Sequence, residues 1–324
     1  MKILVTGAGA LLGQGIIKSL RVTSLNPEII AVDPDPLSAG LYWADSSYTI
    51  PMANASNYMD RVKEILLVEK PDAILVGTDV ELPLFSSYRE QLEKDFETCV
   101  LVSDPNVVAI ADNKWLTYKF LKEHGFDCPE SCLPGDEETL IEKVGFPLVV
   151  KPLVGARSIG VMIVKDKHEI QQALKCQQNV IIQECVGNPD SEYTAGVLYF
   201  KDTCNVSIVM RRELRDGNTY RAFVDDYPSL NQKIRLMAEK LKPYGPLNFQ
   251  FRLENDRIKV FEINARFSGT TPLRAHAGFN EVEMALHYLL DGKPIIQPKI
   301  QPMNIVRHWS ETIIRPDAMK KIAQ

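Results

Sequence analysis

No stretch of this sequence approaches the roughly 18 uninterrupted apolar residues that a membrane-spanning helix needs, so no span is expected. Positive charge is in short supply as well. Lys and Arg number 37 against 42 Asp and Glu, the net charge is −5, and no basic run offsets it. That balance argues against a nucleic-acid partner. The opening apolar stretch ends at Gly7, too soon for a secretory leader, and predicts a cytoplasmic protein. Sequence signatures of metalloproteases (H-E-x-x-H), α/β-hydrolases (G-x-S-x-G) and dithiol sites (C-x-x-C) are all missing. Of six cysteines, Cys128 and Cys132 come nearest to a pair, with no second ligand pair beside them. They read as reduced thiols inside a core.

What is present is enough for two or three lobes, since 324 residues can bury several cores. The chain opens "MKILVTGAGALLGQGIIKSL", an apolar strand running into Gly7, Gly9 and Gly13 and then a helix. Asp33 ends a second apolar run, as a dinucleotide-binding turn would require, although the glycine spacing is one residue too long. An NAD-dependent reductase is therefore one candidate. Strand patterns at 3–5, 29–32, 48–50, 73–76 and 99–102 alternate with helical ones such as 58–69. This alternation predicts an open parallel sheet flanked by helices. Asp112 is a candidate cap for a helix over 113–124, with Leu116, Phe120 and Leu121 as its buried stripe. Beyond about residue 126 short strands and turns take over, then longer strands, a helix over 230–241, a strand pair and a helix over 280–290.

The strand pair "NFQFRLENDRIKVFEINARFSG" carries the most information. Side chains alternate along a strand, so Asn248, Gln250 and Arg252 share one face while Phe249, Phe251 and Leu253 share the other. Glu262, Asn264 and Arg266 likewise stand opposite Phe261, Ile263 and Ala265. A three-residue loop at 255–257 sets Gln250 against Glu262 and Asn248 against Asn264. Such a face is usually just solvated. Here it gathers amide and carboxylate oxygens, which suit Mg²⁺, beside an arginine, which suits phosphoryl charge.

Two other segments add anion-binding chemistry. In "FPLVVKPLVGARSIGV", Lys151 ends an apolar strand where a lone ammonium is costly without an anion. Gly155, Ser158 and Gly160 follow in a loop able to fold over phosphates, or to serve as an ordinary hairpin. In "VIIQECVGNPDSEY" a strand runs through Glu184 to Val186 into a hinge, with Glu192 shortly after and within reach of ribose hydroxyls. Arg211 and Arg212 could clamp a carboxylate or lie on a solvated strand. Asp79 and Glu81 follow a strand at its ligand-binding end, where they orient an amine or Glu81 merely starts a helix.

In this order, with "DNKWLTYKFLKEHG" as lead-in helix, these segments resemble the ATP-grasp superfamily. Within it the likeness is to the carbamoyl-phosphate synthase large-subunit unit and the pyrrolysine-pathway ligase. The resemblance implies an α/β plus α+β architecture in three parts. A Rossmann-like, pre-ATP-grasp parallel-sheet domain spans 1–111, a small lobe 112–186, and a large lobe with the C-terminal segment 187–324. It implies ATP with Mg²⁺ (or Mn²⁺) as cofactors. Lys114 and Lys151 would hold phosphates, Gly155 to Gly160 would form a lid, Glu184 and Val186 would read adenine, and Glu192 would hold ribose. Gln250, Glu262 and Asn264 would ligate metal, with Arg266 on the transferring phosphoryl group. The implied reaction joins a small-molecule carboxylate to an amine through an acyl phosphate. Homodimerisation and a non-catalytic, nucleotide-binding role remain open.

Overall fold

A computed structural model describes residues 1–155, 158–187, 191–200, 204–316 and 322, without the side chain of residue 204. The first hundred residues form a parallel sheet in the order β3-β2-β1-β4-β5. The strands are β1 (Lys2–Val5), β2 (Glu28–Asp33), β3 (Ser46–Thr49), β4 (Ala73–Leu75) and β5 (Cys99–Leu101). Strands β1, β2, β4 and β5 are near-continuous apolar runs, as a sheet covered on both faces requires, while the edge strand β3 is polar and half-buried. Helices α1 (Leu11–Arg21), α2 (Tyr58–Glu69) and α3 (Leu82–Phe96) connect them. The parallel sheet and the alternation expected from the sequence are both present.

The glycine-rich turn is closed by protein atoms. A Cβ on Gly13 would lie 2.2 Å from the Gly7 carbonyl oxygen, and one on Gly9 would lie 2.1 Å from Ser38 Oγ. The Asp33 carboxylate accepts from Gly9 N (2.7 Å), Asp35 N (3.0 Å) and Ser38 Oγ (2.6 Å). Its oxygens tie the turn together, and the ribose role of the reductase reading is taken by the chain itself.

Helix α4 (Pro105–Asp112), which the sequence pattern did not suggest, ends where α5 (Lys114–Glu123) begins. The cap of α5 is Asn113, whose side chain accepts from Trp115 N and Leu116 N, in place of the expected Asp112. An amide on the residue between two helices can close the second while Asp112 still belongs to the first.

A four-stranded antiparallel sheet of order β6-β9-β7-β8 follows. It comprises β6 (Ser131–Cys132), β7 (Leu148–Pro152), β8 (Met162–Val164) and β9 (Val180–Glu184), covered by α6 (Glu137–Val144) and α7 (Lys167–Cys176). The last sheet has the order β14-β13-β10-β11-β12-β15. Its strands are β10 (Glu192–Phe200), β11 (Cys204–Arg215), β12 (Asn218–Val224), β13 (Gly245–Glu254), β14 (Arg257–Asn264) and β15 (Met303–Val306). Helix α8 (Pro228–Leu241) packs on it, and α9 (Thr271–His276) and α10 (Glu281–Asp291) complete the described elements. The segment "FSGTT", expected as a loop, runs directly into α9 with Pro272 in its first turn, a position where proline's missing N–H costs nothing.

Candidate active site

The hairpin of β13 and β14 positions the site. Its turn has two residues, Asn255 and Asp256, both at positive φ (48° and 61°). That is the twist-matching turn that Asn and Asp favour, shorter than the expected three-residue loop. The register then shifts between Gln250 and Phe251, so that Phe251 pairs with Val260 and Gln250 with Glu262. The extra residue is Phe261. Gln250 opposite Glu262 and Asn248 opposite Asn264 are as expected, by a shorter turn plus a bulge. The bulge also moves Phe261 off the core face, and its ring lines the cleft beside Lys151.

Two cavities, of about 500 and about 220 Å³, meet at this hairpin. Lys114, Arg212, Gln250 and Glu262 line both, so they form one continuous cleft. The smaller lies between the four- and six-stranded sheets, and the larger between the six-stranded sheet and the first domain. In the cleft Gln250 Nε2 and Asn264 Nδ2 donate to the same oxygen, Glu262 Oε1, at 3.1 and 3.0 Å. Gln250 Oε1 accepts from Arg212 at 2.7 Å, and Asn264 Oδ1 from Arg266 at 2.8 Å. Arg266 is further gripped by Asp79, Nε to Oδ1 at 2.6 Å, across the boundary with the first domain.

Lys151 is buried at the floor of the smaller cavity and donates to Gln183 Oε1 at 2.7 Å. Burial brings its ammonium down to about 7, opposed by the Glu262 carboxylate and reinforced by Lys114 and Arg252. Lys114, at the start of α5, reaches the Gly155 carbonyl at 3.0 Å. Ser158 lines the same cavity, at φ 56°. Gly160 instead turns onto Pro152, whose side chain a Cβ there would meet at 2.9 Å. Residues 156 and 157 of this loop, and Pro189 of the hinge, lie outside the described residues. Glu184 accepts from Glu130 N at 2.9 Å and faces Lys259 at 3.6 Å. The Val186 carbonyl accepts from Arg252. Glu192 is buried and held between Arg212 (2.8 Å) and Arg252 (2.9 Å). Arg252, seen in the sequence only as a polar-face residue, is thus a hub of the nucleotide-sized cavity.

Two expected acceptor residues lie elsewhere. Arg211 and Arg212 are neighbours on one strand and must face opposite ways. Arg212 faces the cleft, whereas Arg211 stacks on Phe223 at 3.8 Å. Glu81 is buried under the loop that bears Asp79 and accepts from Thr6, Thr78 and Tyr58. Burial raises its carboxyl above the ordinary range, so it is a structural knot beneath the cleft, just ahead of α3. Arg307, after β15, lines the larger cavity with no motif in the sequence to single it out.

Among the described residues no three His, Cys, Asp or Glu cluster as a metal site. The hairpin instead offers one carboxylate and two amides. That sparse oxygen set suits Mg²⁺, which prefers to keep phosphate oxygens and water in its shell.

Two family models match the chain. Residues 3–100 match a PylC-like N-terminal domain, and residues 175–312 match an ATP-grasp described as belonging to a biosynthetic pathway with the Ter operon. The chain carries an ATP-grasp domain. It is 25% identical over 305 residues to the carbamoyl phosphate synthase large chain of Methanosarcina barkeri, covering 84% of this chain and 28% of that one. The C-terminal section of the Aquifex aeolicus counterpart is 23% identical, with 84% and 54% covered. The chain thus spans little more than a quarter of the full-length relative. Among solved structures, N5-carboxyaminoimidazole synthetase from Staphylococcus aureus, complexed with ADP, superposes with a TM-score of 0.74 at 14% identity, covering 94% of this chain and 81% of that one. The biotin carboxylase domain of Hydrogenobacter thermophilus 2-oxoglutarate carboxylase, bound to MgADP, ADP and bicarbonate, gives 0.73 at 16% identity, covering 93% and 72%. These likenesses establish the ATP-grasp fold across the three sheets.

Proposed function

We propose that the protein is an ADP-forming ligase that joins a small-molecule carboxylate to an amine through an acyl phosphate. The observation that carries this reading is the convergence of Lys114, Lys151, Glu262 and Arg266 on one cleft walled by all three sheets. A carboxylate resists an amine because oxide is a poor leaving group. Transfer of the γ-phosphoryl group of ATP converts that oxygen into a good one, and attack by the amine then expels phosphate. Positioning and charge neutralisation dominate such transfers. No protein nucleophile is needed.

In this reading Lys114 and Lys151 hold phosphates, and the loop from Gly155 through Ser158 to Gly160 covers them. Main-chain groups at Glu184 and Val186 meet adenine. Glu192 and its two arginines line the ribose end. Glu262, with Gln250 and Asn264, would hold Mg²⁺, which neutralises phosphate charge. The two amides now satisfy Glu262 Oε1 through their N–H groups. A cation on that oxygen favours turning their carbonyls inward, which also frees Arg212 and Arg266 from those carbonyls. Arg266 donates to the transferring phosphoryl oxygens, oriented by Asp79. Closure of the four-stranded sheet excludes water from the intermediate.

The test is a thermal-shift comparison. ATP with Mg²⁺ should stabilise the protein by about 2.7 kcal/mol at 100 Kd, and omitting Mg²⁺ should remove most of that gain. NADH should give no shift, because Asp33 already holds its own turn. A shift with NADH and none with ATP–Mg²⁺ would overturn the reading. An ADP-release screen over carboxylic acids with added amines then identifies the substrates.

A further inference from the structure

The larger cavity contains a cation that no group among the described residues neutralises. Arg307 lines it and donates to the Gly269 carbonyl. Among the described residues no carboxylate pairs with this guanidinium, and burial holds it below its ordinary value. Lys18 of α1, whose side chain is exposed, is near enough for the two charges to repel. Its ammonium lies 5.0 Å from the centre of the Trp43 ring, also without an acidic partner among the described residues, and is lowered by burial and by Arg307. The buried arginines among the other described residues are paired. Arg212 meets Glu192, Arg266 meets Asp79 and Arg274 meets Glu281. A partly desolvated guanidinium in a cavity, without a counter-ion among the described residues, is an energetic cost that a folded chain retains where a ligand supplies the charge.

The position of Arg307 indicates which part of a ligand it meets. Gly269 lies three residues beyond Arg266, on the side of the cavity walled by Leu11 and Leu12. Arg266, Asn264 and Glu262 mark where a carboxylate would be activated. Arg307 thus contacts the segment after the hairpin and not the hairpin itself, in a cavity of about 500 Å³ that an acceptor would share with the transferring phosphoryl group and its metal, within the range of small-molecule sites. A planar guanidinium with free N–H groups pairs best with an oxyanion.

We infer that Arg307 is a specificity residue that binds a second oxyanionic group of the acceptor, other than the carboxylate being activated. The acceptor then carries two anionic groups, as a dicarboxylate or a phosphorylated acid does. This deepens the ligase reading and rests on it for the orientation of the substrate.

The experiment is calorimetric titration of the whole protein, saturated with ADP–Mg²⁺, with propionate, succinate and 3-phosphoglycerate. At least one of the two doubly functional acids should bind about tenfold or more tightly than propionate, the worth of a charge-assisted hydrogen bond. Which of the two prefers the site separates carboxylate from phosphate recognition. Arg307→Met should abolish the preference without lowering melting temperature or ADP–Mg²⁺ affinity, and Arg307→Lys should restore part of it. Equal or undetectable binding of all three acids to the wild type would overturn the inference. So would a preference that survives in Arg307→Met. Failure of the wild type to bind ADP–Mg²⁺ would instead remove the ligase reading itself.

Discussion

Lys151 shows how a single residue can couple burial to ligand charge. Its ammonium sits near 7 in the folded protein against 10.5 ordinarily, chiefly through burial. Between those values the unfolded chain binds more protons than the folded one, so this group's contribution to stability rises with pH. Its penalty is fully present below pH 7. Nucleotide phosphates favour the charged form, so binding at pH 8 should take up a proton and weaken as pH rises further. Calorimetry of ATP–Mg²⁺ binding in two buffers of different ionisation enthalpy measures that uptake. Lys151→Met should abolish it and lower affinity; uptake that persists in the variant would assign the proton to another group.

At the scale of elements, the hairpin and the α9–α10 corner do the positioning. Alternation in "NFQFRL" and "FEINAR" was legible because one face had to be apolar for the core. The bulge at Phe261 was not, because it answers to how the strands twist against their neighbours. The corner depends on a buried pair. Arg274 and Glu281 are about 1% and 0% exposed, 3.0 Å apart, and Thr271 also donates to Glu281. Gly196 leaves room for the guanidinium, since a Cβ there would lie 2.3 Å from it. Removing one partner of a buried pair strands the other, so Glu281→Ala should cost about 3–5 kcal/mol. Urea denaturation checks this, and a loss under about 1 kcal/mol would mean that Arg274 finds solvent or another acid.

Across the whole molecule, the first domain is not a detachable module. Ile3, Val5 and Leu75 of the parallel sheet share one buried cluster with Leu198, Phe200 and Ile208 of the six-stranded sheet. Arg266 and Asp79 bridge the same boundary. The four-stranded sheet has a cluster of its own, from Cys132 to Ile182, with α6 and α7. Common burial makes unfolding cooperative, whereas a separate core can open alone. Hydrogen exchange should therefore show the parallel and six-stranded sheets opening together at the global free energy. The four-stranded sheet should exchange at lower free energy and gain protection when ATP–Mg²⁺ is added. Independent opening of the parallel sheet would contradict the shared core.

The sequence by itself determined the alternating first domain, α2 over Tyr58–Glu69, the facing of Gln250 and Glu262, and the family that these motifs resemble. These features depend on periodicity and local chemistry, which a linear pattern records. Only the tertiary structure decided that Arg211 turns away while Arg212 enters the cleft, that Glu81 lies beneath the floor, and that Arg307 reaches the cavity from about 40 residues beyond the hairpin. Which face of a strand is covered, and which distant side chains share a wall, depends on what packs against it. That information belongs to contacts between segments far apart in the chain, and no single segment contains it.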